Sequence, residues 1–297
     1  MSKPMSRPEV LMTEGILTPG STCQGCGAAM AARLTFKVLG PNIIRHGIAC
    51  CPDNVSLTPT TSAVFEGGGP SITGTSRALK ALGRTDIKAV AFFGDGGTYD
   101  ISLGGIMAAA VRNENVLIIT KDNEAYMNTG GQHSGGTPKY AETTTDPVGP
   151  ASRGNPHNKI NAAHVFAAVG VPYVATASVA FPEDLMAKVK YAKDIVGFRL
   201  VLIQAPCPVG WRYDPAKTLE VARAGVQAGI WPLYEIEHGS SFKLNYKPKE
   251  LKPISEYMKP QARFRHMTET EVTEIQVATT KRWEKFLKAD EAHQIIL

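Results

Sequence analysis

The sequence predicts an α/β protein, a parallel sheet with helices on both faces, followed by a C-terminal arm. Short apolar runs rich in Val, Ile and Phe alternate with helical patterns through the middle of the chain. These runs lack polar–apolar alternation, as strands covered on both faces do. A glycine-rich turn also joins one such run directly to a helical pattern, the way a strand passes into a helix at the carboxyl edge of a parallel sheet.

Strands are expected over residues 42–49, 88–93, 115–120, 173–178 and 199–204, and helices over 27–39, 76–82, 101–112, 161–169 and 182–193. The last helix opens with Pro182, Glu183 and Asp184. Proline fits the first turn because it has no N–H to lose, and the carboxylates face the positive end of the helix dipole. Two stretches break the rhythm. Residues 128–158 form a long Gly-, Thr-, Ser- and Pro-rich loop, and loops of that length inside a domain are usually functional. After Trp211 the alternation stops: residues 234–265 are rich in Lys and Pro, and 268–288 read as one polar helix. The expected division is a domain over 1–215 and an arm over 216–297 that packs on a partner.

Composition excludes several classes. Of 297 residues, 43% are hydrophobic and 20% charged, which is ordinary for a soluble globular chain. No apolar run reaches the roughly 18 residues of a membrane span. The start, MSKPMSRPEVLMTEG, has no apolar core of a signal peptide, so a cytoplasmic location is expected. The net charge is +5, but the cations are scattered apart from a loose cluster over 243–265, and no nucleic-acid-binding motif accompanies them. A nucleic-acid partner is not expected.

The five cysteines are Cys23, Cys26, Cys50, Cys51 and Cys207. An odd count in a long chain, with one Cys-x-x-Cys, argues against a secreted disulfide framework and for metal or redox chemistry. Cys207 alone would pass for a buried core thiol; the Cys23–Cys26 pair would not.

Gly94-Asp95-Gly96-Gly97-Thr98 follows the run 88–93. Its glycines let a phosphate approach the backbone, and the next helix offers free N–H groups. An Asp in such a turn would repel a bare phosphate and makes sense with a divalent cation between them. Alone, the motif reads equally well as a simple turn. The next strand, however, ends in Asp122-Asn123-Glu124-Ala125-Tyr126-Met127-Asn128, so two successive parallel strands present oxygen ligands at the edge where open α/β sheets bind ligands.

The run GDGGTYDISLGGIMAAAVRNENVLIITKDNEAYMNTGGQHSGGTP resembles the thiamine-diphosphate-binding region of the 2-oxoacid:ferredoxin oxidoreductases, the pyruvate and branched-chain enzymes among them. The likeness extends over residues 18–234. It implies the thiamine-diphosphate-binding fold, with Mg²⁺ held by the side chains of Asp95 and Asn123 and the carbonyl of Ala125. Gly94, Gly96, Gly97 and Thr98 would cradle the diphosphate and Asn128 would reach its far side. Asp122 and Glu124 are tempting ligands by charge, but their expected role is to position the strand end.

The cysteines could serve a [4Fe–4S] cluster or a structural zinc on spacing alone. The resemblance implies the cluster. Cys23, Cys26 and Cys207 match the family's pattern, helped by Gly25, Gly27 and Gly210-Trp211. The central ligand falls on Cys50, which would also lie beside the cofactor, with Cys51 as its competitor. There this chain departs from the family, reading Cys50-Cys51-Pro52-Asp53-Asn54.

The implied activity is oxidative decarboxylation of a 2-oxoacid to acyl-CoA and CO₂, with electrons passing through the cluster to ferredoxin. The glutamate that thiamine enzymes need at the aminopyrimidine belongs, in the resembled enzymes, to a separate pyrimidine-binding domain. A partner α subunit is therefore expected to complete the site, with a ferredoxin-like subunit beside it. His133 is read as an exposed loop residue, and His46, Trp211, Trp231 and Trp283 as structural.

Overall fold

The apolar runs assemble into the centre of one eight-stranded sheet. The structure, a computed structural model, describes residues 21–48, 51 and 58–295, so Cys50 and the Pro52-Asp53-Asn54 departure lie outside the described residues. In chain order the elements are α1 (Gly27–Leu39), β1 (Ile43–Gly47), β2 (Thr60–Ser62), α2 (Gly68–Ala81), β3 (Lys88–Gly94), α3 (Leu103–Val111) and β4 (Val116–Asp122). There follow β5 (Val148–Gly149), β6 (Ser152–Arg153), α4 (Ala162–Ala167), β7 (Tyr173–Ser178), α5 (Pro182–Asp194) and β8 (Phe198–Gln204). The chain ends with α6 (Pro208–Trp211), α7 (Thr218–Gln227), β9 (Tyr234–Glu237), β10 (Ser241–Leu244), α8 (Ile254–Met258) and α9 (Glu269–Glu291). The sheet order is β10-β9-β7-β8-β4-β3-β1-β2. All pairs from β7 to β2 are parallel, and the β9–β10 hairpin runs antiparallel at one edge.

Successive residues of the central strands supply opposite faces, as a pleated strand requires. On β4, Val116 and Ile118 pack under α2, α3, α4 and α9, while Leu117 and Ile119 pack under α1 and α5. Both faces being apolar, the strands carry no alternation, and β3, β4 and β8 occupy the buried middle of the sheet.

Two regions differ from the expectation. Helix α2 begins at Gly68 rather than near residue 76. Gly67-Gly68-Gly69-Pro70 looks like a helix breaker locally, but close packing on α3 overrides propensity: a Cβ on Gly69 would lie 2.3 Å from the Gly105 carbonyl carbon. The second is the tail. The boundary expected at residue 215 does not divide the sheet, because β9 pairs with β7 and adds the hairpin to it. Trp283, Phe286 and Ala289 of α9 lie in the same core cluster as β4. Two strands of four residues each carry too weak a pattern to be read as part of a sheet.

Helix α2 offers a matched pair of substitutions. Gly→Ala in a helix interior normally gains up to about 1 kcal/mol. At Gly74 an added Cβ meets nothing within 4 Å, so Gly74→Ala should raise stability by about that amount. At Gly69 the obstacle is backbone, so Gly69→Ala should lower it by about 1–3 kcal/mol. Denaturant midpoints of the two variants check this; the same sign for both would contradict the close α2–α3 packing.

Candidate active site

The carboxyl ends of β3 and β4 are neighbours, with Gly94 paired to Lys121. Asp95 follows β3 directly and is fully buried. After it the chain makes a π-helical turn, Gly97–Ile101, before α3. Thr98 turns inward: its hydroxyl donates to the Gly94 carbonyl at 3.0 Å and meets the Thr120 hydroxyl at 2.8 Å. Its side chain therefore ties β3 to β4, and among the expected cradle residues Gly94, Gly96 and Gly97 are the ones that line a small pocket with Asn123, Ala125 and Asn128.

The oxygens expected to bind a cation do converge. The inner end of the Asn123 amide lies 3.0 Å from Asp95 Oδ1 and 2.8 Å from the Ala125 carbonyl oxygen. Without a cation, the amide nitrogen at that end donates to both. With its oxygen there, the Asn123 amide stands from both the Asp95 and Ala125 oxygens at spacings near the ~2.9 Å edge of an octahedron with ~2.0–2.1 Å Mg–O bonds. One carboxylate, one amide and one carbonyl are the oxygen donors that Mg²⁺ takes, and Asn123 and Ala125 line the pocket.

The long loop closes over this point. The Ser134 hydroxyl donates to Asp95 Oδ2, and Thr137 Oγ1 donates to the Glu124 carbonyl at 2.8 Å. Asn155 stitches the loop to itself, donating to the carbonyls of Thr137, Pro138 and His157. His133 sits further out and faces Asp146 at 3.2 Å.

Beneath the site lies a charge network for which the sequence has no local sign. Asp95, Asp122 and Glu124 are each at most 1% exposed. Lys159 Nζ lies 2.8 Å from Asp122 and 3.1 Å from Glu124, and Arg263 reaches Glu124 at 2.5 Å. Tyr99 donates to Asp122 at 2.7 Å. Burial, then the Asp122 carboxylate, push Asp95 well above the usual carboxylate range. Burial also raises Asp122 against the pull of Lys159. Burial would raise Glu124 too, but Lys159 and Arg263 outweigh it and hold it low. Burial alone would lower Lys159; its two carboxylates keep it raised.

A larger cavity of about 650 Å³ adjoins the first. Cys23, Cys26, Cys51 and Cys207 all line it, and Cys51, Asn123, Ala125, Met127 and Asn128 line both. The outer end of the Asn123 amide is 3.5 Å from Cys51 Sγ. Cys26 caps α1 and accepts the Ala29 N–H at 3.4 Å; Cys207 caps α6 and accepts the Gly210 N–H at 3.3 Å. Burial raises the Cys207 thiol, with the Gly210 N–H opposing. Gly25, at φ +64°, allows the Cys23–Cys26 turn to press against Pro215, whose carbonyl oxygen would be 2.2 Å from a Cβ. Among the described residues no three Cys, His, Asp or Glu side chains meet closely enough to hold a single ion. No helix among the described residues is long and apolar enough to cross a membrane.

Fold and site define a class, the thiamine pyrophosphate enzymes: residues 42–203 match the family described as thiamine pyrophosphate enzyme, C-terminal TPP binding domain. The relatives are more particular. Pyruvate synthase subunit PorB of Methanothermobacter thermautotrophicus is 46% identical, across 89% of this chain and 94% of its own. Ketoisovalerate oxidoreductase subunit VorB of Pyrococcus abyssi is 39% identical, across 94% of each. The chain belongs to the family of these 2-oxoacid oxidoreductase subunits. A solved 2-oxoglutarate:ferredoxin oxidoreductase from Magnetococcus marinus, with 2-oxoglutarate, coenzyme A and succinyl-CoA bound, shares the fold. Its TM-score is 0.57 at 24% identity, over 71% of this chain and 79% of that one.

Lys159→Met tests the charge network. Removing one partner of a buried pair commonly costs about 3–5 kcal/mol, because the other charges stay buried. Without Lys159 the folded-state pKa of Asp122, already above its unfolded value, rises further, and Glu124 loses one of the two cations that hold it low. The folded variant then binds more protons than the unfolded chain, so its deficit should shrink as pH falls from 7 towards 5. Unfolding free energies at several pH values check this; a deficit independent of pH would contradict it.

Proposed function

We propose that this chain is the β subunit of a cytoplasmic 2-oxoacid:ferredoxin oxidoreductase and that it binds thiamine diphosphate, Mg²⁺ and a [4Fe–4S] cluster. The observation that carries the reading is the three-oxygen focus at Asp95, Asn123 and Ala125, which shares a wall with the four-cysteine cavity. Thiamine diphosphate, when bound, supplies the carbanion chemistry that decarboxylates a 2-oxoacid.

The chain's own residues bind, orient and shield. Asp95 is the anionic ligand, and it is fully buried. Gly94, Gly96 and Gly97 allow the diphosphate near the backbone, and Asn128 stands across the pocket. The loop residue Ser134 holds Asp95 in place and keeps water from it.

For the cluster, four cysteines line one cavity, and a [4Fe–4S] cluster takes four thiolates, each at a different corner. Cys23, Cys26 and Cys207 are three of the ligands. The fourth is Cys50, which the family pattern selects, with Cys51, which lines both cavities, as its competitor. Backbone N–H groups on Cys26 and Cys207 would tune the cluster's potential.

The remaining parts come from partners. A pyrimidine-binding α subunit supplies the glutamate for the aminopyrimidine, a ferredoxin-like subunit and ferredoxin carry electrons away, and coenzyme A takes the acyl group. The arm over 216–297 contributes to the docking of these subunits.

The assembled complex should reduce viologen with a 2-oxoacid, and the isolated chain, its iron verified, should not. Losing fixed orientation of the reacting groups can forfeit about 7–11 kcal/mol of barrier lowering. Robust turnover by the chain alone would overturn the two-subunit site. Asp95→Ala should fold yet retain no thiamine diphosphate; normal cofactor content would remove Asp95 from the site. Iron analysis separates the adjacent cysteines: Cys50→Ala should lose cluster iron and Cys51→Ala should keep it, and the reverse would make Cys51 the ligand.

A further inference from the structure

We propose that Arg263, contributed by the C-terminal tail, is a positioning residue that holds the cation-binding end of β4 in its ligating shape. This rests on the thiamine diphosphate and Mg²⁺ reading above. Arg263 lies 139 residues beyond Glu124 in the chain, in the turn Ala262–Phe264, and is 2% exposed.

Two of the three oxygens at the focus come from Asn123 and Ala125, and the residue between them is Glu124. Glu124 adopts φ +67°, a left-handed conformation that a side-chain-bearing residue holds only when its surroundings enforce it. That kink lets the Asn123 amide and the Ala125 carbonyl approach each other. Several bonds enforce it: the Glu124 N–H donates to Asp122 Oδ1 at 3.1 Å, its carbonyl accepts from Thr137, and its carboxylate is gripped by Lys159 and Arg263.

Arg263 acts on both sides of the kink. Its Nη2 donates to Glu124 Oε2, while its guanidinium plane lies 4.0 Å from the Trp211 ring centre. Trp211 in turn donates its Nε1–H to the Asn123 carbonyl at 2.7 Å. One planar cation therefore supports the side chain of Glu124 and the ring that fixes the backbone of Asn123. Gln261 accepts from Arg263 Nε at 2.9 Å, and the Arg263 carbonyl accepts the Glu142 N–H at 3.0 Å, so the guanidinium cannot swing away. Without it Glu124 would lose one of its two cations and Trp211 its stacking partner. The kink would relax, and the Asn123 and Ala125 oxygens would spread.

A merely structural buried ion pair would predict a loss of stability alone. The positioning role predicts weaker Mg²⁺ binding in a protein that stays folded. The test uses the assembled complex with saturating thiamine diphosphate and titrates Mg²⁺, reading the Mg²⁺ midpoint of cofactor binding by calorimetry. Arg263→Met should raise that midpoint tenfold or more. Arg263→Lys, which keeps the charge but loses the plane, should raise it about threefold. Ile254→Ala, in the same core cluster as Trp211 but not one of the residues that Arg263 bonds or stacks on, should lower the melting temperature and leave the midpoint within twofold. An unchanged midpoint in Arg263→Met, or an equal shift in Ile254→Ala, would overturn the proposal. If Arg263→Met does not fold, Arg263→Lys decides, and an unchanged midpoint there overturns it. A wild-type complex that binds no cofactor at any Mg²⁺ concentration would overturn the functional reading itself, whereas wild-type binding matched by Arg263→Met sinks only this inference.

Discussion

Asp95, Asp122 and Glu124 bring three carboxylates to the ends of two adjacent parallel strands, where almost no water reaches them. Carboxylates removed from water must be neutralised or paired. Lys159 and Arg263 provide two positive charges, and both sit against Asp122 and Glu124 rather than Asp95. Among the described residues no cation pairs with Asp95, which is held by the Ser134 hydroxyl and by the backbone N–H and side-chain amide of Asn123. Its raised pKa expresses that imbalance, and a divalent cation at the three-oxygen focus would remove it. Much of the surrounding architecture follows from this constraint: the loop that covers Asp95, the left-handed Glu124, and a tail that returns to the sheet to deliver Arg263.

The placement of the cysteines follows from the same sheet edge. Cys207 comes just after β8, the neighbour of β4, and Cys26 opens α1, whose first N–H bonds to the Pro206 carbonyl. Parallel strands ending at one edge thus bring the Asn123 and Ala125 oxygens and the cysteine sulfurs to two adjoining cavities, with Asn123 and Cys51 lining both. For a reaction in which electrons leave a decarboxylated substrate, that adjacency is the useful property. It arises from topology, with no element devoted to it.

How much of this was legible in the sequence depended on range. Asp95 and Asn123 could be placed together because each ends an apolar run, and parallel order puts such ends side by side. The central strands were legible for the same reason, with β7 at its observed bounds. What failed were features decided by contacts from far along the chain. Gly68 and Gly69 look like breakers until α3 packs against them, and Thr98 looks like a phosphate contact until Thr120 claims its hydroxyl. Lys159, Ser134 and Arg263 carry no pattern at all, since their meaning comes from carboxylates 35, 39 and 139 residues away. The tail's share in the sheet has no sequence sign, because the four-residue strands of its hairpin are too short to declare themselves, although β9 is bonded to the sheet's own β7.

The central claim is that the Asp95, Asn123 and Ala125 oxygens form a divalent-cation site that anchors a diphosphate. Mn²⁺ can replace Mg²⁺ and scatters anomalously, so diffraction from the assembled complex with Mn²⁺ and thiamine diphosphate tests the claim most directly. The account predicts one manganese peak about 2.1 Å from an Asp95 carboxylate oxygen, the Asn123 amide oxygen and the Ala125 carbonyl, with diphosphate oxygens completing its shell. A manganese peak elsewhere, or diphosphate bound with no metal at these three oxygens, would contradict it.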